Sequence, residues 1–427
     1  MYYLIETLDQ LKSFYNLGYK EAFIEVIPAN NQTHPTQNSI SLVYIRPLLA
    51  TKGFMLGVSH SETLNEISHH ITAILKNFDV LYCRDKKEML HYFPIKHLLD
   101  ITLPPHPYIR PTTTTHELFY RNHGSHPDIN KIIPVVKHYE VCEQMYSELK
   151  GNTSQPTTPY SEFFNNKVAL VFNAIERNGI HINKDKFKEH FYNLDSNITY
   201  TQYNIKTRTT RPSNTFKNVN YAALNKENGC RASFIPHNSK FVEIDISAFH
   251  PTLVSFLIGY DFSTNDIHSY FASLYKVDYA KAKELTFKQL YGGVFETYKN
   301  LEFFKKTQHY INEMWEMFKE QGFVTVPVSG YRLERENLGL ETMNPQKLFN
   351  YLLQAYETSQ NVVILWDIFS ILRGKNTKIV LYTYDSVLID WDEDEVEELE
   401  MVREVFKKYK LNIKEKEGYD YDFRGRS

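Results

Sequence analysis

The chain has 427 residues, of which 42% are hydrophobic and 23% are charged, and its net charge is −3 at pH 7. The length allows two or three domains, and the composition excludes a disordered chain and a collagen-like repeat. The charge excludes a basic field over the whole molecule, so any nucleic-acid footprint must be local. The three cysteines, Cys83, Cys142 and Cys230, form no CxxC pair, which excludes a disulfide framework and a zinc site of cysteine pairs.

The chain shows no sign of a membrane segment. No apolar stretch approaches the ~18–20 residues that a membrane-spanning helix needs. The odd number of cysteines favours a reducing compartment. We therefore expect a cytoplasmic protein without a membrane partner.

The first 150 residues alternate β-like runs with helical patterns. The β-like runs are Ala22–Ile27, Ser39–Ile45 and Gly53–Val58, and the helical patterns are Glu62–Asn77 and Asn130–Leu149. This alternation predicts an α/β domain over 1–150, for which a scaffold without chemistry is one interpretation. The segment GNTSQPTTP that follows, residues 151–159, has the composition of a linker, and we place that linker at 151–165.

A basic tract follows an amphipathic helical pattern at Asn166–Arg177. Between Thr201 and Lys240 seven basic residues face one acid, Glu227. The basic residues are Lys206, Arg208, Arg211, Lys217, Lys226, Arg231 and Lys240. Such a tract is typical of phosphate-backbone binding, although surface charge clusters are also common.

Two aspartates stand where predicted strands end. Asp245 lies near the end of the strand Phe241–Ser247, and Asp385 lies in the turn of a hairpin formed by Ile379–Thr383 and Val387–Ile389. Mg²⁺ prefers carboxylate oxygens, and two such groups on neighbouring strands are what a two-metal phosphoryl-transfer site needs. The alternative is that each aspartate only ends a strand or makes a turn.

Four helices are predicted between these aspartates: Asp266–Tyr275, Tyr279–Tyr291, Glu302–Gln321 and Pro345–Leu372. In the second, Lys283, Phe287 and Tyr291 recur every four residues and therefore share one face. An ammonium, a ring and a phenol in one row suit a nucleotide laid along the helix, with the ammonium on its triphosphate. A helix that only buries its rings in a core is the alternative.

From about Lys167 to the C-terminus these motifs, in this order, resemble family A DNA polymerases, the group of bacterial DNA polymerase I and many phage and mitochondrial replicases. Asp245-Ile-Ser247 resembles motif A, 282–292 resembles motif B, and Tyr384-Asp385-Ser386 occupies motif C. Asp266-Ile267-His268 stands where the family carries Asp-Ile-His. The resemblance identifies the chain as a polymerase of this group.

The resemblance implies an α/β (α+β) fold with two parts. An RNase H-like domain of the 3′–5′ exonuclease type would occupy 1–150, and the polymerase core of the right-hand fold would occupy 166–427. The palm would comprise 205–265 and 323–427, and the fingers 266–322. Only 28 residues lie between Ile182 and Arg211, so we expect a thumb reduced to about 183–205.

The resemblance also implies the site residues. Asp245 and Asp385 would be catalytic and would hold two Mg²⁺ ions, with Mn²⁺ as a substitute. The nucleotide would contact Lys283, Phe287, Tyr291 and His250. Primer–template DNA would contact Arg211, Asn218, Arg332, Asn350, Gln354 and Tyr384.

Several positions depart from the family pattern. Motif C reads Tyr-Asp-Ser where His-Asp-Glu is usual, and Asp-Ser is shared with single-subunit phage RNA polymerases. His250 replaces a Glu that blocks the ribose 2′-OH, and Tyr279 replaces an Arg. The first strand of the exonuclease-type domain carries only Glu25 where an Asp-x-Glu is needed, although Asp85, Asp100 and Glu143 could align with later acids. We therefore expect a degenerate, inactive exonuclease domain.

The sequence thus predicts a template-directed DNA polymerase that adds dNTPs to a primer 3′ end, in phage- or plasmid-type replication and, if phage-encoded, in the host cytoplasm. Its partners would be primer–template DNA, dNTPs and a processivity or replisome protein that compensates for the missing thumb. Two alternatives remain open: a catalytically weak, polymerase-like protein that binds primer–template, and an RNA-synthesising or primase-like relative.

Overall fold

The computed structural model describes residues 3–103, 119–121, 123 and 126–424. The chain divides into two compact units, Met1–Arg177 and Asn178–Ser427. The sequence placed the boundary earlier, with a linker at 151–165. That segment contains most of a 3₁₀ helix, Lys150–Ser154, and an α-helix, Pro159–Phe163. The functional assignment of the units stays a prediction.

The first unit is built on a six-stranded mixed sheet with strand order β1-β4-β3-β2-β5-β6. Strands β2, β3 and β4 pair antiparallel, β5 and β6 continue parallel to β2, and β1 lies parallel to β4. The strands are β1 (Tyr3–Ile5), β2 (Glu21–Pro28), β3 (Ile40–Pro47), β4 (Phe54–Gly57), β5 (Val80–Cys83) and β6 (Leu98–Asp100).

Both faces of this sheet are covered, because alternate residues of one strand enter different cores. Ile24 and Val26 of β2 belong to one apolar cluster, whereas Phe23 and Ile27 belong to another. A strand that is buried on both faces reads as a continuous apolar run, which is what the sequence shows. The α/β class predicted for this region is confirmed.

The helices of the first unit differ from their predicted bounds. They are α1 (Leu8–Asn16), α2 (Ile71–Leu75), α3 (Lys86–Tyr92), α4 (Ile129–Ile132), α5 (Val135–Leu149), α6 (Pro159–Phe163) and α7 (Ala169–Asn178), and a π-helical turn at Phe164–Val168 precedes α7. The prediction of a helix at Glu62–Asn77 was wrong for its first half. There Asn65 adopts a φ of 59°, and its side-chain oxygen accepts the backbone N–H of His60, so a local turn replaces the helix.

The second unit contains a four-stranded antiparallel sheet of order β15-β16-β12-β17. Its strands are β12 (Lys240–Ile246), β15 (Lys378–Thr383), β16 (Ser386–Trp391) and β17 (Ile413–Gly418). Shorter strands pair outside it: β7 (Ile180–His181) with β8 (Ile198–Thr199), β9 (Tyr203–Asn204) and β11 (Val219–Asn220) with β10 (Ser213–Phe216), and β13 (Phe323–Thr325) with β14 (Arg332–Glu334). The predicted hairpin around Asp385 is confirmed as β15–β16.

The described helices of the second unit are α8 (Lys184–His190), α9 (Phe249–Ile258), α10 (Ile267–Tyr275), α11 (Tyr279–Gly292), α12 (Glu302–Gln321), α13 (Arg335–Leu338), α14 (Pro345–Ile371) and α15 (Val396–Lys408). Four of them, α10, α11, α12 and α14, match predicted helices with nearly the same bounds. Asp266, Asp278 and Asn344 cap α10, α11 and α14 by accepting a backbone N–H with their side chains, which fixes where these helices begin. The segment 183–205, predicted as a reduced thumb, holds the seven-residue helix α8.

Among the described residues, none of the helices has the length and apolar character needed to cross a bilayer.

Candidate active site

The sheet of the second unit brings the two predicted aspartates together. Asp245 lies opposite Ser386 in the pairing of β12 with β16, and the backbone N–H of Ile246 donates to the carbonyl of Asp385 at 2.8 Å. Tyr384 and Asp385 form the two-residue turn between β15 and β16, in which Tyr384 has a φ of 62°. Both carboxylates therefore stand at the same end of neighbouring strands.

The electrostatics of this pair fit a cation site. The pKa of Asp245 is raised to about 6, mainly by burial and then by the charges of Asp385 and Glu243, while Lys416 and Lys283 oppose the rise. Asp385 is exposed at its turn, yet its surroundings still desolvate the carboxyl group and raise its pKa. Among the described residues neither aspartate forms an ion pair. Two carboxylates with raised proton affinity, one of them raised by the charge of the other, are a donor set that a divalent cation would stabilise.

A second group of metal-ligand type lies in the first unit. Ligand atoms of His34, His91 and Glu176 lie within 4.8 Å of one another. However, Nζ of Lys87 lies 2.7 and 2.9 Å from the two carboxylate oxygens of Glu176, and Nε2 of His91 lies 2.8 Å from one of them. A divalent cation would have to displace this buried ammonium, so we interpret the group as a structural charge cluster.

Helix α11 carries the row of residues that the spacing predicts. The rings of Phe287 and Tyr291 stack with a centroid distance of 5.8 Å and an interplanar angle of 8°. His268 of α10 adds a ring 5.9 Å from Phe287. Lys283 is exposed one turn earlier on the same helix and lowers the pKa of Asp245, so the row leads towards the aspartates.

His250 is held from both sides. It is buried in the first turn of α9, where its Nδ1 lies 2.8 Å from the hydroxyl of Tyr291. Its Nε2 lies 3.5 Å from a carboxylate oxygen of Glu357 on α14. The same oxygen lies 3.2 Å from Nε of Arg211, so Glu357 joins a predicted nucleotide contact to a predicted primer contact.

Glu357 was missed by the sequence analysis, although one signal was present. It is the only charged residue between Leu348 and Leu365, and it is 2% exposed. A lone charge on an otherwise uncharged helix that packs in a core requires a partner, because an unpaired buried charge is costly. The partners, Arg211 and His250, lie more than a hundred residues away along the chain, so the pairing itself could not be predicted.

The predicted primer contacts Arg211, Gln354 and Tyr384 line one cavity of about 380 Å³. The guanidinium of Arg211 lies 3.8 Å from the ring centroid of Tyr384, and Gln354 accepts a hydrogen bond from Thr209 at 3.1 Å. Asn350 lies one turn before Gln354 and donates to the carbonyl of Tyr291 at 3.0 Å. The other lining residues are Thr207, Arg208, Thr209, Pro212, Ser213 and Tyr351.

Two predicted contacts lie apart from this set. Asn218 occupies the turn between β10 and β11 with a φ of 66°, and the guanidinium of Arg332 on β14 lies 4.2 Å from the ring centroid of Phe323. Both residues are exposed. Among the described residues, no hydrogen bond or ion pair joins either of them to the contacts around the aspartates.

The acids of the first unit serve structural roles. The buried Glu25 forms an ion pair with Arg84 at 3.3 Å. Asp85 caps α3, Asp100 accepts the backbone N–H of Lys86 at 3.0 Å, and Glu143 accepts the backbone N–H of Gly53 at 2.6 Å. Each acid that could align with an exonuclease metal ligand is therefore engaged in holding the local structure.

Comparisons with known proteins show a likeness at the level of the fold. No protein-family model matches the chain, and no curated protein matches it. Among solved structures, the chain is similar to the POL domain of Pol1 from M. smegmatis, which was determined in complex with DNA primer-template and dNTP. The match covers 100% of both chains at 12% sequence identity with a TM-score of 0.69. The chain therefore has the mixed α/β fold of that polymerase domain.

Proposed function

We propose that this chain is a family A-type, template-directed DNA polymerase that adds dNTPs to a primer 3′ end. The observation that carries the proposal is the placement of Asp245 and Asp385 at adjoining strand ends, in a fold similar to a polymerase domain solved with primer-template and dNTP. In the reaction the primer O3′ forms a bond to the α-phosphorus, and the bond from that phosphorus to the bridging oxygen breaks, releasing pyrophosphate.

Asp245 and Asp385 would hold two Mg²⁺ ions, with Mn²⁺ as a substitute. Divalent ions bound there would neutralise the charge that develops on the reacting phosphate. The remaining work falls to this chain's own side chains, which position the substrates. Lys283 would bind the triphosphate, and Phe287 would stack on base and sugar. Tyr291 would lie at the end of the row nearest the template base.

The primer side of the site would be formed by the cavity around Arg211, Gln354 and Tyr384. Arg211 is fixed by two contacts, the Tyr384 ring and the Glu357 carboxylate, so little side-chain freedom remains to be lost when DNA binds. Asn350 supports the end of α11 from α14. Arg332 and Asn218 would contact the duplex farther from the reacting atoms.

The rest of the chain would serve this activity in a phage- or plasmid-type replication system. We propose that the first unit is a degenerate exonuclease-like domain of about 1–150, followed by a linker at 151–165 and the polymerase core at 166–427. Since 183–205 holds the short helix α8 and the two-residue strands β8 and β9, a processivity or replisome partner would take over the role of a thumb. The fingers would be 266–322, and the palm 205–265 and 323–427.

One assay separates this function from its alternatives. Primer extension on a DNA template, with dNTPs and rNTPs in parallel reactions and Mg²⁺ present, should show dNTP incorporation by the wild type and none by Asp385→Asn. Preferential use of rNTPs would favour an RNA-synthesising enzyme instead. Tight primer–template binding without extension by the wild type would favour a binding protein and contradict the proposal.

A further inference from the structure

A lysine from the last strand stands beside the aspartate pair. Lys414 of β17 lies directly opposite Asp245 of β12 in the antiparallel register. Residues directly opposite in an antiparallel pair project from the same face of the sheet. Lys414 therefore stands on the face of the sheet that carries the Asp245 carboxylate.

The side chain of Lys414 reaches the fingers helix. Its Nζ lies 3.4 Å from the hydroxyl of Tyr279 and 5.6 Å from the centroid of that ring. Tyr279 is the first residue of α11 and precedes Lys283 by four positions, so the two residues share one helix face. Lys414 thus places a second ammonium at the end of the row formed by Lys283, Phe287 and Tyr291.

A buried histidine with an unpartnered nitrogen lies at the same place. His268 is 4% exposed, its ring lies 5.5 Å from that of Tyr279, and its Nδ1 has no hydrogen-bond partner among the described residues. Burial lowers the pKa of His268 to about 4, and the charges of Lys283 and Lys414 contribute in that order, with Asp266 opposing. Lys414 and His268 therefore contact the same side chain, that of Tyr279.

The lysines that neighbour Lys283 and Lys414 along the chain have carboxylate partners. Lys281 and Lys288 share the carboxylate of Glu284, and Lys416 lies 3.1 Å from Glu243. Among the described residues, Lys283 and Lys414 have no carboxylate within ion-pair distance. Two exposed ammonium groups without a counter-charge, beside a buried imidazole nitrogen without a partner, form a site for a polyanion.

We infer that Lys414 binds the terminal phosphates of the incoming nucleoside triphosphate, together with Lys283 and His268. The inference rests on the proposed function and assigns a substrate contact to a residue outside the fingers. Asp245 and Asp385 on the same face would hold the cations that accompany the triphosphate. A triphosphate carries several charges over several ångströms, so a lysine from a different element is suited to its far end.

Steady-state primer extension tests this assignment. Lys414→Ala should raise KM for a single dNTP by about ten- to a hundred-fold while kcat changes much less, because charge-assisted contacts to phosphate are lost mainly from binding. Lys414→Arg should restore most of the affinity. Lys281→Ala, an exposed lysine of the same helix that is paired with Glu284, should leave KM unchanged. An unchanged KM in Lys414→Ala would overturn the inference.

A binding measurement separates this inference from the proposed function. Equilibrium binding of inorganic tripolyphosphate to the full chain should weaken in Lys414→Ala to the same degree as in Lys283→Ala. If the wild type extends no primer but binds tripolyphosphate through Lys414, the phosphate site stands and the polymerase proposal is wrong. If the wild type extends primers but Lys414→Ala binds tripolyphosphate as tightly as the wild type, only the assignment of Lys414 is wrong.

Discussion

The hydroxyl of Tyr291 lies 2.8 Å from Nδ1 of His250, and the opposite ring nitrogen of that histidine lies 3.5 Å from the Glu357 carboxylate. Only the contact with Tyr291 has hydrogen-bond geometry, whereas the carboxylate oxygen of Glu357 has no hydrogen-bond partner among the described residues and acts on the ring through its charge. Two partners on opposite sides fix the plane of a buried ring. His250 therefore has a contact on each side, at the position where we expect a residue that discriminates between sugars.

The first prediction follows from the bulk of this ring. His250→Ala should raise relative use of rNTPs by one to two orders of magnitude, a shift of about 1.4–2.8 kcal/mol, because the space beside C2′ would then admit a hydroxyl. The measurement is kcat/KM for each dNTP and rNTP pair in single-nucleotide extension. Unchanged selectivity in the variant would show that His250 does not contact the sugar.

The second prediction concerns Glu357 as a positioning residue. Glu357→Ala removes the carboxylate that lies against Nε2 of His250, so the ring should lose one of its two contacts and selectivity against rNTPs should fall by about three- to ten-fold. In the double variant that combines Glu357→Ala with His250→Ala, the loss of selectivity against rNTPs should equal the loss in His250→Ala alone, because both changes act through one ring. Additive losses of selectivity would mean that Glu357 influences the choice of sugar independently of His250.

The third prediction concerns the aspartate pair. Asp245→Asn and Asp385→Asn should each abolish primer extension and leave primer–template affinity within about two-fold, because phosphate contacts come from basic residues. Extension rates and DNA affinity by fluorescence anisotropy give the two readouts. Asp261→Asn, an exposed aspartate that only accepts the backbone N–H of Ser263, is the matched control. Retention of more than about a tenth of the wild-type rate would contradict the assignment.

The sequence predicted those parts of the site that depend on local pattern. The β15–β16 hairpin, helix α11 and the row from Lys283 to Tyr291 follow from apolar periodicity and turn residues, which act over a few positions. The adjacency of Asp245 and Asp385 required only that two predicted strands pair. The prediction of a helix at Glu62–Asn77 was wrong in its first half, because side-chain-to-backbone hydrogen bonds around Asn65 replace the helical backbone bonds there.

The sequence could not predict contacts that depend on long-range register. Lys414 reaches Tyr279 only because β17 pairs with β12 with Lys414 opposite Asp245, and a slip of one residue would turn the lysine to the other face. Glu357 meets Arg211 and His250 only after three separate segments pack together. Neither relationship leaves a spacing signal in the chain.

The fourth prediction concerns the acids of the first unit. The full chain should show no Mg²⁺- or Mn²⁺-dependent 3′–5′ degradation of single-stranded DNA, because Glu25 is paired with Arg84 and position 23 of β2, where an Asp-x-Glu would place its first acid, is Phe23. A labelled single strand incubated with excess protein gives the measurement, and Asp385→Asn serves as the background so that polymerase idling does not interfere. Degradation that disappears in Glu25→Ala would contradict this prediction and make Glu25 a metal ligand.

The last prediction is a pH dependence of stability set by His138 in α5. This buried histidine lies between the hydroxyl of Tyr120, 2.7 Å from Nδ1, and the carbonyl of Asn130, 3.0 Å from Nε2, an arrangement that suits the neutral ring. The pKa of His138 is lowered to about 3, mainly by burial and then by the charge of His60.

The sign of the effect follows from the two protonation states. Below about pH 6.5 the unfolded chain takes up a proton at His138 that the folded chain does not bind, so the free energy of unfolding should fall by up to about 1.4 kcal/mol per pH unit down to about pH 3. Urea denaturation of the full chain between pH 7 and pH 4, followed by tyrosine fluorescence, measures the slope. Glutamine does not titrate, so the free energy of unfolding of His138→Gln should depend on pH less steeply than that of the wild type, by the equivalent of about one proton. An identical slope in wild type and variant would show that His138 is already charged in the folded protein.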